Sequence, residues 1–248
     1  MPLPAKAFQR WLHGIAPQAS TADICRISGV KRTTLAQQLV RGKVSESTVV
    51  SISRAFNINP VAALATFEIY SELAGSPALP TAAELVSQIA TMDLLKAVIA
   101  RPAGTAGGIE TEQQQQAPPL APVPHATSVK NWVDAIDDGE LRHRVSTATG
   151  IAPQNYSAQL SANRLTPELA LATARAAGVG LTGGLLATGM ITETEAGWPP
   201  GARQAALDAL SDGELAALAG ERLQALGRNL KRQEQDHEQT KKIWENLG

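Results

Sequence analysis

The chain has 248 residues, a net charge of −1 and a single cysteine, and its aromatic bulk is limited to four tryptophans, three phenylalanines and two tyrosines. That length holds two small domains and a connector, and cores made mainly of Ala, Leu, Val and Ile favour helical bundles. Cys25 alone excludes an intramolecular disulfide or a cysteine-based zinc site and fits a reducing interior; no apolar run, including the opening MPLPAKAFQRWLHG, is long enough to span a bilayer, so a cytoplasmic protein with no membrane partner is expected.

Phe8, Trp11, Leu12 and Ile15 recur at i, i+3, i+4 and i+7, which predicts an amphipathic first helix closed by Pro17. Ser20 is placed to cap a second helix, with Asp23 in its first turn and Ile24 and Ile27 at helical spacing. Gly29 ends it, because so tight a turn needs a residue that accepts positive φ. A third helix opens after Val30 with Leu35 and Leu39 on one face. Its other face carries Lys31, Arg32, Thr33, Thr34, Gln37, Gln38 and Arg41. An apolar anchor beneath long hydrogen-bond donors is what a helix needs to sit in a DNA major groove. Ser45 or Ser47 caps a fourth helix with Val49, Ile52 and Phe56 inward, and Asn59-Pro60 opens a fifth carrying Val61, Leu64 and Phe67.

The overall charge hides a local one. From Pro4 to Ser71, eight cations (Lys6, Arg10, Arg26, Lys31, Arg32, Arg41, Lys43 and Arg54) face three anions (Asp23, Glu46 and Glu68), leaving +5.

GVKRTTLAQQLVRGK at Gly29 to Lys43, followed by SESTVVSISRAFNINP at Ser45 to Pro60, resembles the helix-turn-helix domain of the lambda-type repressors and Cro, the Xre-like family. The likeness covers about the first seventy residues, with Cys25 standing where the family usually has alanine. It implies a compact five-helix bundle over residues 4–75 that binds double-stranded DNA. It further implies that Arg32, Thr33 and Gln37 read bases and that Thr21 is a phosphate contact. Lys31, Thr34, Gln38, Arg41 and Lys43 are the remaining phosphate or flanking candidates on this face.

Residues 77–101 hold accessory helices: Thr81 with Glu84 forms a capping-box pattern, and Thr91 is placed to cap a further helix through Leu94, Leu95, Val98 and Ile99. Residues 102–127, rich in Pro, Gly and Gln, read as a flexible linker.

Past the linker the first pattern recurs with an offset of 121 and no gap. Trp11 falls on Trp132, Ile15 on Ile136, Ile24 on Val145, Gly29 on Gly150, Leu35 on Tyr156, Leu39 on Leu160, Ser45 on Thr166 and Leu64 on Leu185. Residues 128–191 are therefore expected to form a second, diverged helix-turn-helix-like domain. Its outer face has lost the basic character: Lys31, Arg32, Gln37 and Arg41 fall on Ala152, Pro153, Ala158 and Ala162, leaving Gln154, Asn155, Gln159 and Arg164 as polar candidates. Between Ser128 and Ile191 five cations balance five anions. Such a domain either reads bases weakly or serves as a structural or partner-binding copy.

Residues 200–248 predict C-terminal helices, with a capping-box pattern at Ser211 and Glu214. Leu223, Leu226 and Leu230 begin a heptad seam that turns polar at Gln233, His237 and Thr240, so the segment is either a weak, self-associating coiled coil or a solvated tail. His13, His125, His143 and His237 lack ligand spacing, and no nucleophile–base pair or glycine loop occurs. No metal, cofactor or catalytic residues are expected. The sequence points to an all-α, DNA-binding transcriptional regulator, of phage or prophage repressor type by resemblance. The alternative is an interaction or assembly protein whose repressor-like bundles bind protein.

Overall fold

A computed structural model describes residues 2–101 and 119–247, with side chains described as far as residue 240. Residues 102–118, the larger part of the expected linker, lie outside the described residues. In chain order the elements are β1 (Leu3–Pro4), α1 (Ala5–Ile15), α2 (Thr21–Ser28), α3 (Arg32–Val40), β2 (Lys43–Val44), α4 (Glu46–Ala55), α5 (Pro60–Ala65), a 3-10 helix (Glu68–Leu73), α6 (Ala82–Ser87) and α7 (Thr91–Ala100). There follow α8 (Ser128–Ile136), α9 (Leu141–Thr149), α10 (Pro153–Ser161), α11 (Pro167–Ala177), α12 (Thr182–Ala187), α13 (Ala202–Asp208) and α14 (Asp212–Leu247). The described residues are all-α apart from β1 and β2, which pair antiparallel with Leu3 opposite Val44 and Pro4 opposite Lys43. No described helix is long and apolar enough to cross a membrane.

The chain divides into two compact units, Met1–Gln88 with Pro122–Ala202, and Ile89–Ala121 with Arg203–Gly248. In the first unit α1 to α5 form as their caps and apolar stripes dictate. The Ser20 and Ser45 side chains accept from the backbone N–H of Asp23 and Thr48, and the Asn59 side chain from that of Val61. Each satisfies a donor that helix geometry leaves without a partner. Phe8, Ile24, Leu35, Val49, Ile52 and Leu64 are buried together, while Phe67 lies beyond the end of α5 and is still buried. Ile27 departs from the expected pattern: it is half exposed, because α2 is short and turns only Ile24 and Cys25 fully inward.

The same succession recurs 121 residues further on. Helices α3 and α10 begin and end at matching positions under that offset. Gly29 ends α2 at φ 71°, and Gly150 ends α9 at φ 70°. Two further left-handed turns match, with residue types exchanged: Gly42 with Asn163, and Asn57 with Gly178. Asn163 retains a side chain at its turn and uses it, its carboxamide oxygen accepting from the Val129 N–H at 2.9 Å.

The two repeats fall in the same compact unit. Their buried side chains belong to one apolar cluster that runs from Leu3 to Trp198. The short helix α6 packs on the second repeat. Its first turn is closed by Thr81 and Glu84 in a reciprocal capping box, and the buried Glu84 carboxylate also accepts from Trp132 Nε1 at 3.2 Å on α8. Gly183 makes room for this contact, since a Cβ there would lie 2.4 Å from Glu84 Oε1. Gln88 donates to the Ser128 carbonyl at 3.1 Å. Further out, Arg175 makes a two-pronged pair with Glu72, and Arg54 another with Glu195 at 2.6 and 2.7 Å. The end of the expected linker is also built in: Val123 packs on the cluster, and the His125 N–H donates to Ser128 Oγ at 2.7 Å.

In the second unit Ile89 and Leu94 meet Leu207, Leu215 and Ala219. Thr91 is the first helical residue of α7 rather than its cap, a place held by Ala90 without a side-chain bond. Arg101 donates to the carbonyls of Leu207 and Leu210, and Asp93 accepts from the Ala121 N–H at 2.7 Å. Ser211 and Glu214 exchange the expected bonds at the start of α14. That helix continues through the mixed-charge tail, with Leu223, Leu226 and Leu230 half exposed along it.

The Arg54–Glu195 pair makes the junction sensitive to acid. Arg54 above all, helped by the Thr192 N–H, holds the Glu195 carboxyl below the usual glutamate range. A carboxyl lowered by folding stabilises the native state above its unfolded value and loses that contribution as pH falls through the folded one. Glu195→Gln is therefore expected to melt below the native protein at about pH 7, with the gap closing as thermal scans are taken towards about pH 3.

Candidate nucleic-acid interface

Helix α3 is anchored from beneath by Leu35, fully buried, and by Leu39, packed against the same cluster. This leaves Arg32, Thr33, Thr34, Ala36, Gln37, Val40 and Arg41 exposed. Thr33, Ala36, Gln37 and Val40 stand at i, i+3, i+4 and i+7, so they form one ridge. Thr33 and Gln37 of this ridge are expected from the sequence; Val40, which is 89% exposed, is added by the structure. Spacing from Thr33 and Gln37 was the available signal. A ridge combining a carboxamide and a hydroxyl with bare methyl groups matches a major groove in which adenine offers a donor and an acceptor and thymine a methyl.

The start of α3 is electropositive for two reasons. Lys31 occupies the cap position without a side-chain acceptor, and no acidic residue lies in the first turn. The first N–H groups are thus left to solvent or a ligand, at the end of the helix that favours anions. Thr21, the expected phosphate contact, is exposed as the first residue of α2, directly after the Ser20 cap. Nearby Asp23 is occupied locally: its carboxylate accepts from Ser20 Oγ at 2.6 Å and Arg26 at 3.2 Å, and these contacts hold it below the usual aspartate range.

Gln38 plays a different part from the one expected of it. It is half-buried, and its carboxamide oxygen accepts from Thr48 Oγ1 at 2.9 Å while its nitrogen donates to Ser45 Oγ at 3.1 Å. Ser45 is also the cap of α4. Gln38 therefore ties α3 to the start of α4 instead of facing outward with Gln37, because a step of one residue rotates the side chain by about 100° towards the Leu35–Leu39 side.

Six cations around this face, Lys6, Arg10, Lys31, Arg32, Arg41 and Lys43, are exposed, and none has a carboxylate partner among the described residues. The corresponding region of the second repeat differs. There Lys130 pairs with Asp134, Arg142 with Asp134 and Asp137, and Arg144 with Asp138, while Arg175 pairs with Glu72 as its counterpart Arg54 does with Glu195, and Arg164, the counterpart of Lys43, is exposed without a carboxylate partner among the described residues. Of the second-repeat candidates Gln154, Asn155 and Arg164 are exposed and Gln159 is half-buried, on a helix whose buried anchors are Tyr156 and Leu160. Tyr156 adds a hydroxyl to the core and satisfies it against Thr173 at 2.8 Å.

Among the described residues no cluster of three or more histidine, cysteine or carboxylate side chains could hold a metal ion. The chain matches no protein-family model, no curated protein and no solved structure.

The two neighbouring glutamines make a clean contrast. Gln38→Ala is expected to lower the unfolding free energy by about 1–2 kcal/mol, since Ser45 and Thr48 lose a partner at a partly buried site. Gln37→Ala, on the open ridge, should stay within about 0.5 kcal/mol of the native protein. Urea unfolding of the two variants side by side checks this.

Proposed function

We propose that the protein is a sequence-specific regulator that binds double-stranded DNA through α3, of the phage or prophage repressor type that its sequence resembles. The observation that carries this reading is the uneven use of carboxylates. In the first repeat Lys6, Arg10, Lys31, Arg32, Arg41 and Lys43 are left open around a ridge of base-compatible side chains, whereas Lys130, Arg142 and Arg144 of the second repeat are neutralised within it. Open Lys and Arg side chains gain from releasing the counterions of a polyanion; paired ones gain little. Arg32, Thr33 and Gln37, with Val40, read bases, and Thr21, Lys31, Thr34, Arg41 and Lys43 hold the backbone.

On this reading the chain carries a duplicated domain whose second copy serves the first. Its recurring turns and buried positions preserve the fold, its outer face carries Ala152, Pro153, Ala158 and Ala162, and its contacts through Arg175 with Glu72 and through the Met190 carbonyl with Arg54 steady the DNA-binding repeat.

Selection of bound sequences by the full chain from a random duplex pool supplies the site for the test. Arg32→Ala and Gln37→Ala are each expected to cost about 1–3 kcal/mol at that site while leaving random-sequence binding nearly unchanged. Arg41→Ala and Lys43→Ala should weaken all sequences alike and lower the slope of log K against log salt by about 0.9 each. Absence of salt-dependent duplex binding by the full chain would reject the reading.

The half-exposed Leu223, Leu226 and Leu230 favour one addition, self-association through a second copy of α14. They follow the a and d positions that bring two helices together, and the polar Gln233, His237 and Thr240 make the pairing weak. Sedimentation should show a concentration-dependent mass that Leu226→Glu with Leu230→Glu abolishes.

A further inference from the structure

Helix α1 has two faces of the same spacing. Phe8, Trp11, Leu12 and Ile15 turn to the core, and Lys6, Gln9, Arg10 and His13, also at i, i+3, i+4 and i+7, are all exposed and line a single shallow depression. No acidic residue occurs in α1, and neither Lys6 nor Arg10 has a carboxylate partner among the described residues. The fold sets this stripe beside the α3 surface. The Ala5 N–H donates to the Gly42 carbonyl at 3.0 Å, and Pro4 lies opposite Lys43 in the strand pair, so α1 begins where α3 ends. Lys43 and Arg41 thereby lead directly into Lys6 and Arg10.

We propose that the outer face of α1 is a second DNA-backbone contact surface, which rests on the reading of α3 as the base-reading helix. From Lys6 to His13 the helix rises about 10 Å, and one DNA strand presents a phosphate every ~3.4 Å along the axis, so the stripe meets two to three phosphates beyond those taken by Arg41 and Lys43. Lys6 and Arg10 supply the charge, and Gln9 and His13 supply hydrogen-bond donors between and beyond them. The second repeat has no such face: under the 121-residue offset Lys6, Arg10 and His13 become Thr127, the buried Asn131 and Asp134, the last of which pairs with Lys130. The contact is therefore one-sided, and it lengthens the protected backbone only beyond the end of the site nearest the C-terminus of α3.

The test uses the full chain carrying Lys6→Gln with Arg10→Gln. Both positions are exposed, and glutamine keeps helix propensity, so a far-UV thermal melt should match the native protein. The salt slope is expected to fall by about 1.8, which means that raising salt from about 50 to about 200 mM costs the variant roughly ten-fold less affinity than it costs the native chain. Selected and random duplexes should lose affinity in equal proportion, and, at concentrations where the chain sediments as a monomer, hydroxyl-radical protection should shorten at one end only. An unchanged slope and footprint in a variant that melts normally would overturn the α1 contact while leaving the α3 reading intact. If the native chain itself shows no salt-dependent duplex binding, both fall; if Arg32→Ala loses selectivity but Lys6→Gln with Arg10→Gln changes nothing, only the α1 contact falls.

Discussion

The positive-φ turn at Gly29 is the constraint on which the first repeat depends. It stops α2 after eight residues and lets α3 start three positions later, so that Ile24 and Leu35 are buried in one core while the opposite side of α3 is left open. A residue with a Cβ pays a conformational cost at φ near 70°, whereas glycine adopts it freely. The outer face of α3 is thus a by-product of how its inner face is held. Gln38 completes the fixation by bonding Ser45 and Thr48, which couples the direction of α3 to the capped start of α4.

The second repeat keeps that construction with different chemistry on its surface. Its turns return at Gly150, Asn163 and Gly178, and Tyr156 fills the place of Leu35 with a hydroxyl satisfied by Thr173. Carboxylates at Asp134, Asp137 and Asp138 neutralise Lys130, Arg142 and Arg144. These pairs are exposed and contribute little stability, but they remove the open charge that a polyanion would attract. Two repeats of one geometry can therefore differ in partner while sharing a core.

Sharing that core changes the mechanical picture. A tethered second domain would search for its own site at a concentration set by the linker, whereas two repeats in one compact unit present their outer helices in a fixed relation. The buried Glu84 carboxylate is central to this. It closes the first turn of α6 and accepts from Trp132 at once, so it holds α6 to the second repeat only while α6 is folded.

Much of the local structure was determined by the sequence alone. Helix caps at Ser20, Asn59 and Thr81, the turn glycines at 29 and 150, the apolar registers and the polar, cation-flanked outer face of α3 are short-range matters, settled by residues within one or two turns of each other. The 121-residue recurrence was legible for the same reason, because buried positions and turns repeat even where surface residues do not. Tertiary structure decided what depends on partners far along the chain. Arg54 looks like any other cation of the basic half until Glu195 meets it, Gln38 cannot be told from Gln37 without Thr48, and Trp132 serves a second purpose only once Glu84 lies against it. Composition marked residues 102–127 as a break, yet the packing of Val123 and the bonds of His125 arise from surfaces that exist only in the folded unit. Sequence names the charges and donors that a chain owns; only the fold decides which of them its own core and carboxylates use, and which are left for a partner.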